Sequence, residues 1–84
     1  MVGPFMPNFY FHLHDGKSRL EDRRGVCLPD AEAAWYQAFR NARDIVLVAR
    51  VDQIPCRDQA LEVEDERGIQ VWTMPLAEVA EMVG

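Results

Sequence analysis

The sequence is short of the residues that would make it a small secreted or membrane protein. Two cysteines, Cys27 and Cys56, occur in 84 residues, too few for the disulfide framework on which small secreted domains depend. They read as ordinary thiols, and a cytoplasmic location is expected. No apolar run approaches the roughly 18 residues of a membrane-spanning helix. Residues 1–7 show no basic stretch followed by an apolar core, so no secretory signal is expected there. Glycine is scattered, with Gly16, Gly25 and Gly68 isolated at turns, which excludes a glycine-rich phosphate loop. Length is scarce too: a chain this size buries roughly 60–65% of its unfolded surface, enough for one core but not two.

Basic charge is also in deficit, with 9 Lys and Arg against 14 Asp and Glu for a net charge of −5. The shortfall lies in residues 43–84, because residues 1–42 balance. Nucleic-acid binders gain affinity from concentrated basic charge. The one basic run here, residues 17–24, is interrupted by Glu21 and Asp22 and reads as a solvated loop. Neither a nucleic-acid nor a membrane partner is expected.

What is present is a clear alternation of periods. Phe9, Phe11 and Leu13 alternate with Tyr10, His12 and His14 as on a strand, and Asp15 with Gly16 supplies a turn. Residues 17–24 form a loop with a short strand around Leu20, and residues 25–28 form a second strand antiparallel to the first. Asp30 is a helix N-cap. Ala31, Ala34, Trp35, Ala38, Ala42, Ile45, Val46 and Ala49 then step by three and four, the mark of a long amphipathic helix. That helix fades by residues 50–53, ahead of Pro55. Leu61 and Val63 alternate with Glu62 and Glu64. Asp65, Glu66, Arg67 and Gly68 make a hairpin turn, and residues 69–74 are the return strand, with Val63 opposite Val71 and Glu62 opposite Trp72. Pro75 opens a short helix with Leu76, Val79, Ala80 and Val83 on one stripe. The order is ββαββα: a two-layer α+β domain with an antiparallel sheet of about four strands and the long helix on one face. Residues 1–7 read as a disordered extension and residues 8–84 as the single domain.

Several segments together resemble a known family. They are Met-Pro-x-Phe-Tyr-Phe-His-Leu-x-Asp-Gly (residues 6–16), Gly-Val-x-Leu-Pro-Asp-x-Glu-Ala-Ala (25–34), Val-Glu-Asp-Glu-x-Gly (63–68) and Met-Pro-Leu-Ala-Glu (74–78). The chain is similar to a group of small bacterial proteins with an F-F-H-L-x-D-G N-terminal motif, an uncharacterised domain of unknown function. The resemblance implies a soluble, single-domain bacterial protein without an established activity. The position of His14 is commonly Arg in that group, which argues against His14 belonging to a shared site. The layout, a hairpin running into a helix through a Pro-Asp segment, also resembles antitoxins of the HicB type, which implies an antitoxin-like regulator as one alternative.

Two constellations carry candidate chemistry. His12, His14 and Asp15 offer two imidazoles on one strand face and a carboxylate, a potential set of metal ligands for a metal-binding or small enzymatic domain. Cys27 is a further ligand if its strand register allows. No catalytic residue is assigned and no cofactor is expected: Cys56 beside Arg57 has no histidine near it in sequence, and Glu62, Glu64, Asp65 and Glu66 read as a solvated edge. The second constellation is the sheet face away from the long helix, where Tyr10, His12, Trp72 and Met74 are expected together. That face is either open or covered by the C-terminal helix. If open, it is an interaction surface for self-association or for a protein partner. A non-catalytic binding module acting as a homodimer or on a partner protein is the leading expectation.

Overall fold

In the computed structural model, which describes residues 6–55 and 57–83, the aromatic segment Asn8–His14 forms β1, the hub of the sheet. Its even-numbered residues face one side and its odd-numbered residues the other. One edge of β1 pairs antiparallel with β4 (Ala60–Asp65), from Phe9↔Asp65 to His14↔Ala60. The other edge is shared by two short strands. β2 (Arg19–Leu20) pairs with Leu13 and His14, and β3 (Val26–Cys27) pairs with Asn8 and Phe9. β5 (Gln70–Pro75) adds outside β4, so the order is β2-β1-β4-β5 with β3 beside β1.

Between β2 and β3 the middle of β1 has no strand beside it, and Asp22 takes the place of one. Its Oδ2 accepts the Phe11 amide at 3.1 Å and its Oδ1 accepts those of Arg24 and Gly25 at 3.0 and 3.2 Å. Gly25 has φ +73° and lies against Tyr10, so closely that a Cβ there would stand 2.8 Å from the ring. Only glycine suits both demands.

The helix α1 (Ala31–Val51) starts where expected. Asp30 accepts the Ala33 amide at 2.8 Å, which satisfies one of the free donors of the first turn. Ala34, Ala38, Ala42, Val46 and Ala49 are buried along it. Because most of these are alanines, the helix axis lies close over Phe9, Phe11, Leu61 and Val63, which join it in one core. α2 (Leu76–Met82) contributes Leu76 and Val79, both fully buried in that same cluster. It therefore lies in the helix layer beside α1 and β5, and it does not cover the second sheet face. Arg50 ties the two helices together by donating to the Ala80 carbonyl at 2.7 Å.

The result is a two-layer α+β domain with an antiparallel sheet. Residues 1–5, part of the expected extension, lie outside the described residues, whereas Pro7 is tied to the domain through its carbonyl, which accepts the Leu28 amide at 3.1 Å.

One expected register is corrected. Val63 stands opposite Trp72, Glu62 opposite Thr73 and Leu61 opposite Met74, while Glu64 is opposite Gln70. Val71 is thus an extra residue, a β-bulge, and every β5 side chain beyond it changes face relative to a straight pairing. Ile69, ahead of the bulge, is 51% exposed.

Candidate interaction surface

The bulge separates the four residues expected on one surface. Tyr10 and His12 point away from α1, beside Glu62 and Glu64 of β4. Trp72 and Met74 share the helix side with Val63 and Leu61, and Met74 is buried in the core. The second sheet face is polar instead. His12 Nε2 is 3.2 Å from Glu64 Oε1, Arg19 donates to Glu64 Oε2 at 3.0 Å, and His14 Nε2 is 3.3 Å from Glu62 Oε2. The Arg19 hydrogen bond holds the Glu64 carboxyl below its ordinary range against partial burial, with His12 adding to it. His12 is buried although it faces outward, because the loop between β2 and β3 folds over it. Its Nδ1 accepts the Asp22 amide at 3.0 Å, which leaves the ring proton on Nε2 for Glu64.

His12, His14 and Asp15 are not brought together as a ligand set. The His14 Nδ1 accepts the Gly16 amide, and Asp15 Oδ1 accepts the amides of Lys17 and Ser18. The Ser18 and Lys17 amides hold the Asp15 carboxyl below its usual value. Cys27 sits opposite Asn8, at the far end of β1 from His14, with its thiol 3.0 Å from Asn8 Oδ1. Cys56 lies outside the described residues. Among the described residues no three His, Cys, Asp or Glu side chains are placed to hold an ion.

The expected acidic edge is also divided. Glu62 and Glu64 face the second side, but Asp65 is buried on the helix side. It accepts the amides of Arg67 and Ile69 on Oδ1 and the Arg67 guanidinium on Oδ2. Burial works to raise its pKa, but the Ile69 amide and Arg67 outweigh that, so the carboxyl lies below the ordinary Asp value. This is turn architecture, with both oxygens of the carboxylate committed to the turn.

The surface with uncommitted chemistry lies along α1. Glu32, Trp35, Tyr36 and Phe39 recur at helical spacing just off the alanine stripe, and so share one side of the helix. Trp35 meets Tyr36 edge to face at 5.3 Å and 90°, and stacks on Phe39 at 5.6 Å and 8°. The slipped register of β5 brings Trp72 to the first turn of α1, where its indole Nε1 donates to the Ala31 carbonyl at 2.8 Å. Between these rings is an open cleft of about 370 Å³ lined by Glu32, Trp35, Tyr36 and Trp72. A smaller one of about 90 Å³ lies on the other side of Trp35, with Glu78 and Met82 among its walls. Tyr36 is 59% exposed and Trp72 36%. The spacing of Trp35 and Tyr36 with Glu32 was visible in the sequence. That Trp72 joins them was not, because it depends on the bulge.

A larger cleft of about 470 Å³ opens at the same end of the molecule, with Phe9, Ala31 and Val71 among its walls. The three carboxylates that line it, Asp30, Asp65 and Glu66, already accept backbone amides, and the Arg67 guanidinium is bonded to Asp65. It offers a ligand little polar guidance.

Element order, register and core thus define a small two-layer α+β domain with a polar outer sheet face and an aromatic strip beside its long helix. The chain belongs to the DUF6894 family, a domain of unknown function, whose pattern matches residues 8–77. The match runs from the first residue of β1 into α2, in agreement with the resemblance carried by the N-terminal motif. No curated protein and no solved structure matches the chain significantly.

Proposed function

We propose that this protein is a non-catalytic, cytoplasmic binding module that docks a protein partner on the aromatic strip between α1 and β5. The observation that carries the reading is the open cleft shared by Trp35, Tyr36 and Trp72. Tryptophan and tyrosine concentrate at the centres of protein interfaces, where one ring gives a large apolar contact at small entropic cost. The second sheet face supports the same choice from the other direction. Its histidines and carboxylates are paired with one another, so a partner docking there would have to displace these contacts and the Arg19–Glu64 ion pair.

A second copy of the chain is one form the partner takes, and light scattering over a wide concentration range separates self-association from a foreign partner. Tyr36→Ser and Trp72→Ala should weaken the dimer, or the retention of a defined partner, while circular dichroism of Tyr36→Ser stays that of the parent. If both variants leave oligomeric state and retained partner unchanged, the strip is not the docking site.

A further inference from the structure

We propose that the cleft lined by Glu32, Trp35, Tyr36 and Trp72 is a receptor for the guanidinium group of an arginine side chain presented by the docking partner. The inference rests on the docking reading above and names the chemistry of its contact. Three aromatic rings surround the cleft, two of them at right angles. Ring faces carry negative potential and attract a cation placed over them. The cleft that Trp72 shares with Trp35 and Tyr36, about 370 Å³, has room for a planar side-chain head group. Both indoles are held in advance: Trp72 by its bond to Ala31 and Trp35 by its stack on Phe39. Little side-chain freedom is lost on binding.

Glu32 supplies the counter-charge. It is exposed on the rim and forms no ion pair among the described residues. An apolar ligand in the cleft would strip water from this carboxylate without replacing it, and an anion would be repelled. A guanidinium satisfies both walls at once, since its plane stacks on a ring while its N–H edge donates to the carboxylate. An ammonium lacks that plane and holds its water more tightly, which favours arginine over lysine. Glu78, on the neighbouring cleft, and the net charge of −5 add an attractive field for a basic segment.

The test uses the full chain, whose 2 tryptophans both line the site. N-acetyl-Gly-Arg-Gly amide is titrated while the two indole N–H resonances and tryptophan fluorescence are followed, with the citrulline and lysine peptides as controls. A saturating shift with the arginine peptide, absent with citrulline and weaker with lysine, is expected. Glu32→Gln and Tyr36→Ala should each weaken it about 2- to 5-fold. Both positions are exposed, so folding is retained. Equal shifts from the citrulline peptide, or none from the arginine peptide up to about 50 mM, overturn the proposal. Equal affinity for the lysine peptide overturns the assignment to arginine. If the arginine peptide fails while Tyr36→Ser still abolishes docking, this inference falls and the docking reading stands.

Discussion

Each oxygen of the Asp22 carboxylate serves a different stretch of backbone, Oδ2 the Phe11 amide in β1 and Oδ1 the amides of Arg24 and Gly25. Asp65 braces the β4–β5 turn in another way, with Oδ1 accepting the amides of Arg67 and Ile69 and Oδ2 the Arg67 guanidinium. Burial works to raise the Asp22 pKa, but the amides of Phe11, Gly25 and Arg24 outweigh it, and His12 adds to them. Asp22, Asp65 and Glu64 are all held below their ordinary values of 3.8, 3.8 and 4.5. The unfolded chain therefore binds protons at a pH where the folded chain does not. Stability from these groups is complete above about pH 5, declines as the pH falls through the ordinary carboxylate range, and is gone once it passes below the folded-state values. Urea unfolding at about pH 7 and about pH 3 should show a smaller difference for Asp22→Asn than for the parent. An unchanged difference would remove Asp22 from that account. Asp22→Ala, which leaves three amides without their acceptor, should cost about 1–3 kcal/mol at neutral pH.

At the scale of elements, α1 was legible because its signals are local. Asp30 marks the start, alanines at spacings of three and four mark the buried side, and Pro55 bounds the end. β5 was legible as a strand but not in register. Its bulge sits next to a turn in which a buried carboxylate gathers the amides of Arg67 and Ile69, a contact that hydrophobic alternation does not encode. That one residue decides which side Trp72 and Met74 occupy, so the predicted surface failed there while Tyr10 and His12 were placed on the correct side. The burial of His12 was equally hidden, since it depends on a loop contact to Asp22. The end of α1 carries a further prediction. Gln53 has φ 58°, a left-handed conformation, with the Ile54 amide returning to the Ala49 carbonyl at 2.8 Å. That conformation costs an L-residue about 1–2 kcal/mol, and glycine loses about 0.4–1 kcal/mol through the unfolded chain. Gln53→Gly should therefore stabilise the protein by about 0.5–1 kcal/mol, raising the midpoint of urea unfolding at unchanged slope.

For the whole molecule, one hydrophobic cluster joins both helices to three strands, so no part has a core of its own. Leu76 is the largest of its fully buried side chains. Leu76→Ala should lower stability by about 2–5 kcal/mol, and helical ellipticity and tryptophan fluorescence should be lost in a single coincident transition. Separate transitions would mean that α2 unfolds independently. The margins of the sheet bear on a different property, dispersal in a crowded solution. An exposed strand margin is a template onto which a second chain can grow, the first step toward fibres. On one margin here the strands are two residues each, with Asp22 occupying the amide between them. On the other, a bulge interrupts the run and Pro75 ends it. Among the described residues neither margin offers a straight row of free donors and acceptors, which works against sheet-to-sheet polymerisation at both ends while the aromatic strip stays open for contact.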